Sequence, residues 1–244
     1  MIITLACREV RRKAPETVLR GRVAVLSPHL DDGVYSLGAA ISESVRSGAA
    51  ITVITVFAGD PNSSRPASPW DRRFGFKLAR EAARARREED RRACALLGAA
   101  PVWLPFDDQH GRQVEDDELW KSIQHAVSPA DTVLVPGFPL DHEDHLRLAR
   151  LTLARRFGTK RVGLYVEQPY GAVRGELPRV PPALASLIAG EPRWHALSAR
   201  VSARWRKVRA WRAYRSQFQH FGYRSLGNVL RYEVRHGGEM TTLR

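Results

Sequence analysis

Cysteine, lysine and long apolar runs are all scarce in this 244-residue chain. Its two cysteines, Cys7 and Cys94, are too few for a disulfide framework or a cysteine-based zinc site. That scarcity fits a reducing compartment, the cytoplasm. No apolar run approaches the roughly 18–20 residues that cross a bilayer, so no membrane span is expected. The first twenty residues lack the ordered n-region, h-region and cleavage site of a secretory signal. Acidic side chains are outnumbered, 26 against 39 basic ones, for a net charge of +13. Only five of those basic residues are lysine: Lys13, Lys77, Lys121, Lys160 and Lys207. A basic balance first raises nucleic acid, an anionic membrane surface or an acidic substrate as partners. An arginine excess this lopsided also follows from solvated helix faces and a GC-rich coding sequence.

What is present is an ordinary globular composition, with 43% hydrophobic and 27% charged residues. Apolar β-branched runs alternate with helically spaced ones. Strands are predicted at Arg22–Ser27, Ile51–Phe57, Val102–Phe106, Thr132–Val135 and Val162–Val166. Helices are predicted at Gly33–Ser47, Leu78–Gly98, Val114–Val127 and Asp141–Phe157, with a basic, Trp-containing helix at Val201–Phe218. Asp60–Asp71 reads as loop. Such alternation predicts one α/β domain with a mostly parallel sheet and helices on both faces. Within it we expect a basic segment at 1–20, a core at about 22–218 and a C-terminal extension at 219–244.

Two polar clusters fall just past strands, where open parallel sheets bind ligands. The first is Ser27-Pro28-His29-Leu30-Asp31-Asp32. The second is Asp141-His142-Glu143-Asp144-His145. The His142–His145 spacing puts both imidazoles on one helix face, and His29 and Asp32 share that spacing at a helix start. Imidazole plus carboxylate suits a divalent metal, and three protein ligands with an open fourth position describe a catalytic zinc site. Such a metal lowers the pKa of its water to about 7. A spare carboxylate and a spare histidine then serve as base and acid. Structural roles compete with this reading, since Asp31 or Asp32 could cap the helix and oppose its dipole.

These residues resemble the zinc-dependent LmbE-like, or PIG-L, de-N-acetylase family. The likeness extends to Arg86-x-x-Glu89, Ala93-Cys94 and Leu97-Gly98, and to Tyr214-x-Ser216-Gln217, from about Val23 to Gln217. It implies a Rossmann-like fold and removal of an N-acyl, usually acetyl, group from an amino sugar or related glycoconjugate. It implies one Zn2+ held by His29, Asp32 and His145, with another divalent metal an alternative. Asp31 would be the general base and His142 the acid or oxyanion stabiliser. Asp144 would tune a neighbouring histidine, and Arg86 and Asp108 would contact the sugar. Two positions depart from the family pattern: Gly33 stands where many members have Glu, and Leu140 where some have Tyr.

Other features are open to more than one use. The loop Ala58–Lys77, with Trp70, Arg72, Arg73 and Phe74, is a candidate lid whose arginines would favour an anionic glycoconjugate. Asp107 and Asp108 follow the third strand at the same edge, and His110 is expected on the surface. The arginines of Arg80–Arg92 interleave with Glu81, Glu88, Glu89 and Asp90, which favours intrahelical pairs over nucleic acid. Arg200–Arg215 is more purely basic. Its Trp205, Trp211 and Tyr214 would either stack on single-stranded nucleic acid or form a buried stripe. A nucleic-acid-binding protein with structural His and Asp clusters is therefore the main alternative, although a nucleic-acid partner is not expected. A metal-dependent amidase acting on a non-sugar substrate is another alternative, and a phosphoester hydrolase is a third.

Overall fold

The computed structural model describes residues 19–108, 111, 114–139, 142–188 and 190–243, without the side chains of 219–221. Cys7, His110, Leu140, Asp141 and nearly all of the basic segment 1–20 lie outside these residues. The strands are β1 (Arg22–Ser27), β2 (Ala50–Thr55), β3 (Ala100–Trp103), β4 (Thr132–Pro136), β5 (Arg161–Tyr165), β6 (His195–Leu197) and β7 (Glu239–Thr241). The helices are α1 (Asp32–Arg46), α2 (Pro69–Arg73), α3 (Ala79–Leu97), α4 (Asp116–Ala126), α5 (Glu143–Ala154), α6 (Tyr170–Arg174), α7 (Val201–Trp211) and α8 (Arg215–His236). They build one seven-stranded sheet in the order β3-β2-β1-β4-β5-β7-β6. The first five strands are parallel, and β7 and β6 add antiparallel at one edge.

Side chains alternate across each parallel strand and so divide the core in two. Val23 and Val25 of β1 pack on one face with Leu37, Ile41, Leu97 and Trp211. Ala24 and Leu26 pack on the other with Leu119, Ile123, Leu148 and Leu151. Thus α1, α3 and α7 cover one face, and α4 and α5 the other. Trp211 stacks on Tyr35 at 3.8 Å between ring centroids. Gly98 ends α3 with φ 80, and a Cβ there would meet Val45 at 2.9 Å, so only glycine fits this close helix end.

Three expectations need correction. The single helix expected at Val201–Phe218 is two helices, α7 and α8, broken at residues 212–214. There the Tyr214 hydroxyl donates to Asp90 at 2.6 Å, while Glu89 accepts from the Ser216 amide at 3.0 Å and its hydroxyl at 2.7 Å. These anchors on α3 fix a chain reversal that helical spacing alone could not show. The boundary expected at residue 218 falls inside α8, and residues beyond it supply β7 to the sheet. The loop expected at Asp60–Asp71 runs into α2, whose start was visible as Ser68-Pro69: Ser68 accepts from the Asp71 amide at 3.1 Å, and Pro69 occupies the first helical turn.

Candidate metal centre and active site

In an order that runs 3-2-1-4-5, the connections leave β1 and β4 in opposite directions, opening a crevice at their carboxyl ends. The His29 cluster follows β1 and the His142 cluster follows β4. Neighbouring strands therefore bring together segments more than a hundred residues apart. Ser27 pins the first turn by donating to the His29 carbonyl at 2.6 Å and accepting from the Gly33 amide at 2.8 Å. A Cβ on Gly33 would lie 3.2 Å from the Ser27 side chain, so a larger residue there requires Ser27 to give by a few tenths of an ångström. Neither aspartate acts as the helix cap considered above: Asp31 makes no capping hydrogen bond, and Asp32 accepts from the His29 amide at 2.9 Å. Asp31 itself has φ 157 and ψ −36, the positive-φ non-glycine residue among those described. Strained backbone of this kind concentrates at functional sites.

The two histidines at the centre are each held by a carboxylate. His29 Nε2 lies 2.9 Å from Asp144 Oδ2, and His145 Nδ1 lies 2.7 Å from Glu167 Oε1. Donating those N–H groups to carboxylates leaves His29 Nδ1 and His145 Nε2 as lone-pair donors, 3.2 Å apart. Asp32 Oδ2 completes a triangle, 3.1 Å from His145 Nε2 and 3.4 Å from His29 Nδ1. A tetrahedral ion with bonds of about 2.0–2.1 Å requires donors about 3.3 Å apart. The residues present therefore fit a divalent metal. His142 also stands close: donor atoms of His29, His142 and His145 all lie within 4.8 Å of one another.

Charge within this cluster follows from burial and pairing. Burial opposes charge on His29, but its bonds to Asp144 and Asp32 prevail and raise it to about 9. Burial likewise opposes charge on His145, where Glu167 and Asp32 prevail and raise it well above the ordinary value. Asp32 is held below the usual carboxylate range because His145 and His29 outweigh its burial. Burial and the neighbouring Asp32 push Asp31 well up, the direction a base working near neutral pH needs. His142 is lowered by burial and by the charges of His29 and His145. Its Nδ1 accepts from the Asp144 amide at 3.3 Å, so the neutral ring carries its proton on Nε2.

A cavity of about 230 Å³ opens in front of this centre. Asp31, Asp32, His29 and His142 line its floor, with Arg86, Asp108 and Gln217 among its walls. All eight sequence-predicted site residues thus lie at or directly behind one cavity. His145 and Asp144 are the most deeply buried, at 0% and 2% exposure, and Asp32 and Asp31 are buried as well. Arg86 is ion-paired with Asp71, and Arg65 with Asp107. The arginines expected to face substrate do something else: Arg72 donates to the Ala67 carbonyl at 2.7 Å, and Arg73 lies over the Trp70 ring. Sequence reasoning missed Glu167. Its signal was position: it directly follows the buried residues Tyr165 and Val166 at the same carboxyl edge. Burial pushes its carboxyl up to about 7.

The fold and this donor set define an α/β protein with a histidine–carboxylate cluster, fit to hold a divalent metal, at the switch point of its sheet. Comparison with known proteins narrows the class. The model of the GlcNAc-PI de-N-acetylase (PIG-L) family matches residues 24–155, and the chain belongs to that family. It is 34% identical over 158 residues to 2'-N-acetylparomamine deacetylase of Streptomyces fradiae, covering 58% of this chain. The match spans about half (54%) of that relative's length. Among solved structures, A40926 pseudoaglycone deacetylase Dbv21 is similar at 28% identity and a TM-score of 0.75, covering 91% of this chain and 96% of that one. A triple mutant of a deacetylase in the teicoplanin biosynthetic pathway is similar at 26% identity and the same TM-score of 0.75, over 90% of this chain and 96% of that one.

Proposed function

We propose that the protein is a metal-dependent N-deacetylase that frees the amine of an N-acetylated amino sugar in a larger glycoconjugate. The observation that carries this is the donor triangle of His29, Asp32 and His145 at the floor of an acid-rich cavity, with Asp31 beside it. His29, Asp32 and His145 would hold the ion, for which zinc is the best candidate by donor type. When bound, it supplies Lewis acidity to an amide carbonyl and makes a water acidic near neutral pH.

The chain's own groups then divide the proton work. Asp31, buried and raised, accepts the proton of the attacking water. His142 Nε2–H donates a hydrogen bond to the carbonyl oxygen as that oxygen gains negative charge. The proton is delivered to the nitrogen as the C–N bond breaks, leaving acetate and the free amine. Asp144 and Glu167 fix the tautomers of His29 and His145. Arg86 and Asp108 face the cavity as sugar contacts.

Cavity charge bears on the substrate. Asp31, Asp32, Asp71, Asp107 and Asp108 line it against Arg65 and Arg86, both of them paired. That balance favours a neutral or amine-bearing glycoconjugate over a phosphorylated one. The related proteins act, by name, on 2'-N-acetylparomamine and on A40926 pseudoaglycone. We place the activity in the cytoplasm, in keeping with the unpaired buried Cys94. No helix among the described residues is long and apolar enough to cross a membrane.

The test is amine release from a panel of N-acetylated aminoglycoside and glycopeptide intermediates by zinc-loaded protein, compared with Asp31→Asn and His142→Ala. Loss of a general base costs about 10²–10⁴-fold in rate. Both variants should keep their metal and their fold. Full activity in Asp31→Asn, or no amine release from any substrate by protein holding one metal per chain, would overturn the proposal.

A further inference from the structure

Apart from Gln217 at the start of α8, which lines the cavity, the basic hairpin of α7 and α8 is not used by the deacetylation site. From Arg200 to His236 the chain carries nine arginines and Lys207 against a single acid, Glu233. Glu233 is buried and paired with Lys207, which also pairs with buried Glu239. All exposed charge on the hairpin is therefore positive. Arg206, Arg209, Arg212 and Arg215 lie exposed along α7 and the turn, and Arg224, Arg231 and Arg235 along α8. Among the described residues, no carboxylate lies within 4 Å of Arg209, Arg212 or Arg215.

Between these basic rows the two helices leave an apolar groove. Val201, Trp205, Val208, Tyr223, Leu230 and Val234 line it. Trp205 and Tyr223 are each 64% exposed, and Val201 and Val234 more so, at 70% and 66%. The spacing explains the stripe: 201, 205 and 208 share one face of α7, while 223, 227, 230 and 234 share one face of α8. The buried face of α7 is a different one, through Ala203, Lys207, Ala210 and Trp211. Arg212 sits over the Tyr223 ring, joining the basic row to the groove.

We propose that this hairpin docks on an anionic phospholipid surface. The groove and its two aromatic side chains would enter the headgroup–acyl boundary, and the arginine rows would meet lipid phosphates. An exposed apolar stripe with tryptophan, flanked by arginine, is the composition of helices that lie in a membrane interface. Charge decides between occupants. A second copy would bring two chains of net charge +13 and the same arginine rows face to face, whereas an anionic surface neutralises them. Groove chemistry decides against nucleic acid: its lining is largely aliphatic and offers bases few flat faces on which to stack.

The experiment is co-sedimentation of the full chain at 0.1 M salt. The vesicles are phosphatidylcholine alone or phosphatidylcholine with 30% phosphatidylglycerol, and a labelled single-stranded oligonucleotide serves as a competing probe. Strong partitioning is expected only onto the anionic vesicles, lost at 0.5 M salt. Each surface arginine contributes about five-fold, so Arg209→Gln/Arg212→Gln/Arg224→Gln together should weaken binding about a hundred-fold. Trp205→Ser/Tyr223→Ser should weaken it at least ten-fold with an unchanged melting temperature, since both side chains are exposed. Equal binding to neutral vesicles, or no binding to either, would overturn the proposal. So would oligonucleotide binding or self-association that those same two substitutions abolish.

Discussion

Asp90 ties the sheet edge to the helical turn beside the cavity, and its removal has a calculable cost. Its carboxylate is 1% exposed and accepts from the Tyr214 hydroxyl at 2.6 Å and from Trp103 Nε1 at 2.7 Å. Burial pushes its pKa up, partly offset by those same hydrogen bonds. Asp90→Ala leaves the buried Tyr214 hydroxyl and the half-buried Trp103 Nε1 without an acceptor, at about 1–3 kcal/mol each. The carboxylate's own burial is relieved, so the net loss should be about 3–4 kcal/mol. For a chain of this size that lowers the melting temperature by about 6–16 °C. Tyr214→Phe should cost about 1.5–3 kcal/mol, because it removes one hydrogen bond to a charged group. The double variant gives the sharper test. With the orphaned hydroxyl gone, Asp90→Ala/Tyr214→Phe should be more stable than Asp90→Ala alone. Urea denaturation followed by circular dichroism measures all three. A double variant less stable than Asp90→Ala, or an Asp90→Ala protein within about 0.5 kcal/mol of the parent, would refute the reasoning.

Glu167→Gln removes the carboxylate that orients His145; metal titration should show about 10–100-fold weaker binding with the fold retained. Glu233 is held protonated up to about 7, first by its burial and despite Lys207. A carboxyl with a raised folded pKa stabilises the fold below its ordinary value, and that contribution is lost as pH climbs to about 7. Unfolding free energy should therefore fall between pH 5 and pH 8 in the parent and change less in Glu233→Gln. Cys94 is fully buried, and burial together with Asp90 pushes its thiol far up. Peptide mapping after iodoacetamide treatment should find Cys94 unmodified in native protein and labelled only after denaturation.

The parallel half of the fold was legible because each strand is a short apolar run, and the helices between them carry an apolar face or a clear stop such as Gly98. Strand ends shifted by a residue or two. The larger shift came at β3, expected at Val102–Phe106 and found at Ala100–Trp103. That edge strand is half exposed and contains Pro101, with Pro105 just beyond it, so hydrophobicity marks its limits poorly. The antiparallel strands β6 and β7 were not foreseen. Each is three residues long, and β7 joins the sheet only through long-range pairing with β5 and β6.

The candidate site was legible for a different reason. His29, Asp31, Asp32, His142 and His145 stand in two short clusters, each directly after a strand, and the adjacency of β1 and β4 does the rest. Glu167 escaped because a lone carboxylate after β5 has no neighbour in sequence to mark it; its partner His145 lies twenty-two residues earlier. The basic segment Arg200–Arg215 was ambiguous because helical spacing does not say which side faces inward. The structure divides it: Trp211 and Tyr214 are fully buried, whereas Trp205 stays exposed among arginines. The chain's positive charge therefore bears on two surfaces in opposite ways. Carboxylates outnumber arginines in the cavity, and the excess of arginine collects on α7 and α8. A net charge of +13 is on this account a property of what the protein docks against rather than of what it cleaves.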